Sequence, residues 1–264
     1  MVFQRKTQET GEEMKLERKD EIIRLIAEKR VAKANELADY FHVSMETIRR
    51  DLSQLEKEGF LRRTHGGAVL NTSGGMEPTF YHREVSNYEE KLLIAQKASE
   101  LVEDGDTIIV DIGTTTMEFA RFLKGKKVTV FTNSLKIAVE LMDDTQISVI
   151  LFGGFIRADE GTTSGHWAEE MSDQFWVDKL FLGVGSMEPD VGIMDFHIEE
   201  TNLRRHWLAH SRKIIALADH SKFGWKALNT VCRTEDLDML ITDEETDKRT
   251  IKEIRERGVQ VLLA

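Results

Sequence analysis

Ser44-Met45-Glu46-Thr47-Ile48-Arg49-Arg50-Asp51-Leu52-Ser53-Gln54-Leu55 is the stretch on which the reading of this chain turns. On a wheel at about 100° per residue, Ile48, Leu52 and Leu55 fall in one narrow arc and must face a core. Glu46, Arg49, Arg50 and Ser53 point away from it, and Thr47 lies on the flank. Ser44 stands where a side-chain oxygen caps the free amides of a helix start. The period predicts a helix to about Glu58, stopped by Gly59. Upstream, Leu37, Ala38 and Phe41 share the inner side of a short helix over residues 34–41, with His42 to Met45 as the break. Ile22, Ile23 and Ile26, with Leu25 beside them, make a further stripe in a helical period that begins at Leu16. Two short helices with a brief turn, the second exposing paired arginines near its start, are what a helix-turn-helix needs. The first turns of such a helix enter the major groove, where arginine grips guanine O6 and N7, or a phosphate, with two bonds. Downstream, Phe60 to Val69 reads as two extended runs around a small turn, like a wing. Its Arg62, Arg63 and His65 suit contacts to the DNA backbone or minor groove. The candidate DNA-contacting residues are therefore Ser44, Met45, Thr47, Arg49, Arg50, Arg62, Arg63 and His65. A plainer reading also fits: Arg49 and Arg50 pair with Asp51, Glu46 or Glu56 on a solvated face.

The 264 residues are 41% hydrophobic and 31% charged, a soluble globular balance. That length suits one large domain or two modest ones and buries roughly 70% of the unfolded surface. The single cysteine, Cys232, excludes an intramolecular disulfide and a multi-cysteine metal site. The longest uncharged apolar run, near residues 147–156, is too short to span a bilayer. The N-terminal MVFQRKTQETGEEMK lacks the apolar core of a signal peptide, so a cytoplasmic protein with no membrane partner is expected. The net charge of −11 argues against a chain coated in nucleic acid, but it is unevenly spread. Residues 1–70 carry 14 Lys/Arg against 13 Asp/Glu, and residues 71–264 carry 22 against 34. Two modules with different partners follow from that asymmetry. The expected plan is a flexible tail over residues 1–15, a winged helix-turn-helix over 16–70, a linker over 71–87 containing Gly74-Gly75 and Pro78, and an α/β domain over 88–264.

In that α/β domain a helix is predicted over residues 88–103, with Leu92, Ile94, Ala95, Ala98 and Leu101 mostly on one face. Residues 107–110, 128–131 and 147–151 are continuous apolar runs suited to buried parallel strands. Further strands are predicted at 179–182, 214–218, 239–241 and 259–263. The first strand runs into Asp111-Ile112-Gly113-Thr114-Thr115-Thr116, ahead of a helix from about Met117. A small-residue turn before a helix presents free amides, and three hydroxyls add donors, which makes a cradle for an anion such as phosphate. A tight turn with threonine caps explains the same residues. No lysine follows as in a P-loop, and the dinucleotide glycine pattern is absent. Two more strand ends carry polar turns, Thr132-Asn133-Ser134 and Gly153-Gly154. Ligands of open α/β sheets bind beyond the carboxyl ends of strands. Asp219-His220-Ser221-Lys222 follows another strand, where Lys222 suits a phosphate or sugar oxygen. Glu199 and Glu200 open a helix, where the helix dipole favours acids in any case.

Ser44, Thr47, Ile48, Arg49, Arg50, Asp51 and Leu52, with Arg18, Ile22 and Ile26, resemble the helix-turn-helix signature of the DeoR family of bacterial transcription regulators. The run Arg63-Thr64-His65-Gly66-Gly67-Ala68 is similar to that family's wing. Arg83, Asn87, Lys91, Gly105-Asp106, Asp111 to Thr116, Thr132 to Ser134, Gly153-Gly154, Gly165, Gly183, Glu200 and Asp219 to Lys222 resemble its sensor domain. The likeness covers about residues 16–224. It implies a winged helix that binds double-stranded operator DNA near a sugar-catabolism operon, usually as a repressor. It also implies a sensor fold similar to ribose-5-phosphate isomerase that takes no cofactor and binds a phosphorylated sugar or sugar alcohol. By that likeness Gly113 and Thr114 to Thr116 hold the phosphate, Asn133, Glu200 and Lys222 address hydroxyls or the carbonyl end, and Asp111, Ser134, Gly153 and Gly154 complete the crevice. Two departures stand out: Arg204 where members often carry lysine, and Gly185 to Asp190 in place of a glycine- and aspartate-rich stretch.

Other readings compete. A sugar-phosphate isomerase finds candidate bases in Glu200, Asp111 and Lys222, but the acid-rich isomerase stretch is missing near Gly183–Glu188 and a winged helix would be idle. His206 and His210, four apart on a helix, have zinc-ligand spacing but no third partner, so a metal site is not expected. A third reading keeps DNA binding and makes the second module only an oligomerisation domain. A homo-oligomer, dimer or tetramer, is expected in any case, because one helix-turn-helix buries little surface on DNA and paired half-sites are the usual remedy.

Overall fold

The computed structural model describes residues 18–19, 21–22, 25–26, 31–57, 61–70, 77–78 and 80–264. The expected tail over 1–15, the helical start at Leu16, Ile23, the Gly59 stop and the Gly74-Gly75 segment lie outside them. Two compact units emerge, Met1–Ser86 and Asn87–Ala264.

The first unit is built as the apolar period requires. Ala34–Phe41 and Met45–Lys57 are helices, and the helical residues Ile22 and Ile26 join their core. Ile48, Leu52 and Leu55 are buried as the wheel demands. Each such side chain contributes about 1.5–3 kcal/mol when fully removed from water. His42 ends the first helix in the left-handed region at φ 53°, so the break is shorter than expected and the second helix opens at Met45. Leu61–Thr64 and Gly67–Leu70 form the hairpin anticipated as a wing. One strand was not anticipated: Val31–Lys33 pairs antiparallel with Gly67–Leu70, so the wing is a three-stranded sheet. Gly67 makes that pairing possible, because a Cβ there would lie 2.0 Å from the Ala32 carbonyl oxygen. Phe80–Val85 is a short helix inside the stretch read as linker.

The second unit is a seven-stranded sheet, all parallel. In spatial order its strands are Gln260–Leu263, Met239–Thr242, Ile214–Leu217, Lys179–Gly183, Thr107–Val110, Val128–Thr132 and Ile147–Leu151. The continuous apolar runs follow from this, since both sheet faces are covered. Ile108 and Val110 pack on one face with Ile94, Ala98, Phe119 and Leu141 from helices. Ile109, between them, packs on the other with Leu203, Trp207 and Ile254. The helix after the linker ends sooner than expected, spanning Tyr88–Ser99. Two hairpins escaped the sequence reading, Phe155–Arg157 with Thr162–Ser164, and Ser186–Glu188 with Gly192–Asp195. The latter also pairs with Asn229–Cys232. Cys232 ends that strand buried, and burial together with nearby Asp236 pushes its thiol up to about 12.

Strand order fixes where the site lies. From Thr107–Val110 the chain winds outward to Ile147–Leu151, then returns to Lys179–Gly183 on the opposite side and winds the other way. The reversal falls between Thr107–Val110 and Lys179–Gly183, and the crevice of an open parallel sheet opens at such a switch point.

Candidate functional site

In the first unit the exposed start of the Met45–Lys57 helix forms the candidate DNA face. The Ser44 Oγ accepts the Thr47 backbone N–H at 3.1 Å, so the helix is capped as expected, and the two hydroxyls share a hydrogen bond at 2.9 Å. Met45, Arg49 and Arg50 are exposed and Thr47 is half-buried. The plainer reading of the arginines is met only in part. Asp51 is buried and pairs with Arg18 at 2.7 Å, not with Arg49 or Arg50. Glu56 accepts the Arg63 backbone N–H at 2.8 Å and so ties helix to wing. Arg50 does reach Glu46, but at 3.7 Å between exposed side chains. Such a pair contributes only about 0.3–0.5 kcal/mol, less than a guanidinium gains on a base edge or phosphate. Arg62, Arg63 and His65 are exposed on the wing. All eight named residues thus belong to one folded unit, with the four cationic positions on the helix and wing turned to solvent.

At the switch point of the second unit, Gly113 (φ 156°) precedes a helix that begins at Thr114, not near Met117. The three threonines are its first turn and are all buried, so their amides are the orphan donors of a helix start. Thr116 spends its hydroxyl on the Gly113 carbonyl at 3.0 Å. Among the described residues the Thr114 and Thr115 hydroxyls make no hydrogen bond within the chain. Gly183 closes the neighbouring strand so near that a Cβ would lie 2.4 Å from the Ile112 carbonyl oxygen.

Asp111 is placed here but is already occupied. Its Oδ1 accepts the Ile112 N–H at 2.8 Å, and its Oδ2 accepts the Gly183 N–H at 3.0 Å and the Arg204 Nε–H at 2.8 Å. Arg204 reaches Asp195 with its other arm at 2.7 Å. Burial pushes the Asp111 carboxyl up to about 6 against the pull of Arg204. Burial also works against the Arg204 charge, but Asp111, Asp195 and Glu200 outweigh it and hold the guanidinium above its ordinary value. Glu200 is buried too, accepting the Thr162 hydroxyl at 2.8 Å and Arg157 Nη1–H at 3.0 Å.

The other strand ends divide between binding geometry and scaffold. Asn133 is buried; its Nδ2 donates to the Thr163 carbonyl at 3.2 Å, and its Oδ1 accepts no hydrogen bond from the described residues. Ser134 caps the next helix, Leu135–Leu141, by accepting the Ile137 N–H. Gly154 (φ 128°) faces the Phe155–Arg157 hairpin, where a Cβ would meet the Ser164 carbonyl at 2.4 Å, while Gly153 borders open space. Lys222 is half-buried at the end of a single helical turn capped by Asp219.

Residues 18–74 match the model of the DeoR-like helix-turn-helix domain, and residues 86–244 match that of the DeoR C terminal sensor domain. The chain belongs to the DeoR family of transcriptional regulators. DeoR-family relatives match it from end to end. The HTH-type transcriptional regulator GolR of Listeria innocua is 36% identical over 94% of this chain and 98% of its own length. The glycerol-3-phosphate regulon repressor of Escherichia coli is 31% identical, again over 94% and 98%. The repressor CsqR of Escherichia coli is 33% identical over 93% and 94%. Among solved structures, ribose 5-phosphate isomerase A of Methanocaldococcus jannaschii aligns with a TM-score of 0.40 at 20% identity, over 53% of this chain and 56% of that one.

Within this DeoR sensor domain the sequence reading missed the groups that work through charge. Arg204 was noted only as a departure from lysine, and its fork is what allows two buried aspartates to share one cation. Arg157 binds Glu200, Glu160 and Asp159 at once. Asp195 and Asp219 were not assigned a role. His206 and His210 share Asp173, at 2.7 and 3.7 Å. Among the described residues no group of three His, Cys, Asp or Glu is placed to hold a metal, and no helix is long and apolar enough to cross a membrane.

Proposed function

We propose that this DeoR-family chain is a cytoplasmic, sequence-specific repressor of a carbohydrate-catabolism operon. Its C-terminal unit binds a phosphorylated sugar or sugar alcohol, and that effector modulates its grip on operator DNA. The observation that carries the reading is the capped Met45–Lys57 helix, with Arg49 and Arg50 exposed at its start, in a chain matched over 94% of its length by the glycerol-3-phosphate regulon repressor of Escherichia coli. A dimer or tetramer would hold paired helices about 34 Å apart, one helical turn of DNA. The effector shifts that arrangement by its differential affinity for two states.

The unit offers such a ligand charge of both signs: Lys222 and Lys91 lie close enough to Asp219 to hold its carboxyl low, and Glu200 and Glu160 pair with Arg157. A phosphate is attracted to the free amides of the Thr114–Arg121 helix start. Catalysis is not part of this reading, since Asp111 and Glu200 are both committed to arginines.

The test of the DNA-binding half is a pull-down of sheared host DNA with the purified chain, followed by sequencing. Enrichment of a few sites beside carbohydrate genes is the expected result; uniform recovery would overturn it. For the sensor half, Thr115→Val removes one hydroxyl and keeps the shape. A sugar phosphate that raises the wild-type melting temperature is expected to bind this variant about tenfold more weakly, as loss of one hydrogen bond to a charged group implies. An unchanged thermal shift would remove the threonine turn from the ligand site.

A further inference from the structure

Phe155, Ile156 and Trp167 stand in solvent at 70%, 61% and 62% exposure around a single short strand, Phe155–Arg157. Phe155 and Ile156 are consecutive in that strand, so their side chains leave opposite faces, yet both are exposed. The partner strand, Thr162–Ser164, is buried throughout, and its Thr162 bridges to Ser134. Phe155–Arg157 is therefore the outer strand of a two-stranded sheet, and its second edge pairs with no strand among the described residues. Native proteins blunt such an edge with lysine, proline or a cover. Here the one charged side chain of the strand, Arg157, is spent on Asp159, Glu160 and Glu200.

The hairpin is held firmly. The Phe155 and Trp167 rings stack with centroids 5.5 Å apart and planes 25° from parallel. Gly165 lets them do so, since a Cβ there would lie 3.3 Å from the Phe155 ring. The Thr163 hydroxyl donates to the Phe152 and Asn133 carbonyls at 2.6 and 3.2 Å. An apolar surface already ordered before contact loses little freedom on docking.

Its surroundings say what docks there. Residues 145–156 and 161–165 carry no charged side chain, whereas residues 71–264 as a whole carry 22 Lys/Arg against 34 Asp/Glu. Two copies of so acidic a unit repel over most of their surface and least at this stretch. A strand edge met antiparallel by its own copy about a two-fold axis is its own complement. The three side chains leave roughly 400 Å² in water, as much as a typical monomer exposes in its largest apolar patch and about half of what one partner buries in a stable interface. We infer that a second copy of this chain docks here. The two Phe155–Arg157 edges meet antiparallel, with Phe155, Ile156 and Trp167 of each copy at the centre and the chain around them as rim. The inference rests on the homo-oligomer of the reading above and gives it a surface.

The test is sedimentation velocity of the full-length chain from about 0.1 to about 100 µM, the range that covers common dimer affinities. The wild type is expected to sediment as a dimer or larger. Ile156→Glu places an acid on the edge of each copy and is expected to weaken self-association about 100-fold or more. Ile156→Val keeps the edge apolar and is expected to assemble as the wild type does. So is Met142→Glu, which charges another apolar side chain, at 66% exposure, outside the hairpin. All three substitutions fall on exposed positions, where stability changes little. Hydrogen exchange of the unmutated chain gives a second reading. The amides of residues 153–157 are expected to exchange more slowly as concentration rises, because edge N–H groups gain partners. An Ile156→Glu chain that assembles as tightly as the wild type overturns the surface and leaves the homo-oligomer standing. So does exchange at 153–157 that does not follow assembly, or assembly lost in Met142→Glu and kept in Ile156→Glu. A wild type that stays monomeric at about 100 µM overturns both.

Discussion

Replacing Arg204 with methionine is expected to destabilise the C-terminal unit by about 3–5 kcal/mol at pH 7.5, the cost of leaving buried charges unpaired. Asp111 and Asp195, both buried, lose the guanidinium they share at 2.8 and 2.7 Å. At about 2–4 °C per kcal/mol for a unit of this size, the melting temperature falls by about 6–20 °C. The loss depends on pH with a definite sign. The folded Asp111 carboxyl is already raised from 3.8 to about 6. Between those values the native state holds a proton the unfolded chain has released. That contribution is complete below about pH 3.8 and is lost as the pH rises through 6. Without Arg204 the carboxyl rises further and the window extends upward. The variant therefore regains stability between pH 7.5 and 5.5 more than the wild type does. Arg204→Lys keeps one charge but cannot serve both aspartates, and restores only part. Scanning calorimetry at the two pH values checks this; a deficit that is equal at both would refute the proton-linked account.

Removing both guanidinia in an Arg49→Ala/Arg50→Ala chain is expected to weaken binding to an enriched DNA fragment by about 100-fold or more. Each base-edge or phosphate contact of this type contributes about 1–3 kcal/mol, and 1.4 kcal/mol is a factor of ten. The fold should not suffer, since among the described residues the only ion pair lost is the exposed Arg50–Glu46 contact at 3.7 Å. Melting behaviour within about 0.5 kcal/mol of wild type is expected. Fluorescence anisotropy at several salt concentrations also yields the slope of log affinity against log salt. That slope becomes shallower by about one unit for each phosphate contact removed. Equal affinity and equal slope for both proteins would take this helix face off the DNA.

Much of this architecture was legible because burial imposes a period. Ile48, Leu52 and Leu55 could face only one way, and the runs at 107–110 and 239–241 are covered on both sides, while 147–151 is the half-buried edge strand. Elements of three residues, such as Val31–Lys33 and Phe155–Arg157, are too short to show an alternation. The helix start was placed three residues late because threonine reads equally as a cap and as a first turn. Above all, partners distant in sequence were invisible. Asp111 looked like a free carboxylate after a strand until the fold brought Arg204 to it from 93 residues away. Asp51 likewise fitted its neighbours Arg49 and Arg50, yet belongs to Arg18.

The burial of Cys232 has a practical side. With its thiol buried and pushed up to about 12, Cys232 carries far less thiolate at pH 7.5 than an ordinary cysteine does. Since 264 residues contain no other cysteine, the native chain is close to inert toward maleimide reagents. One cysteine introduced at the exposed wing position His65 would then carry a dye essentially alone. Its fluorescence would follow the wing onto DNA and off again in real time, without first mutating a native thiol away.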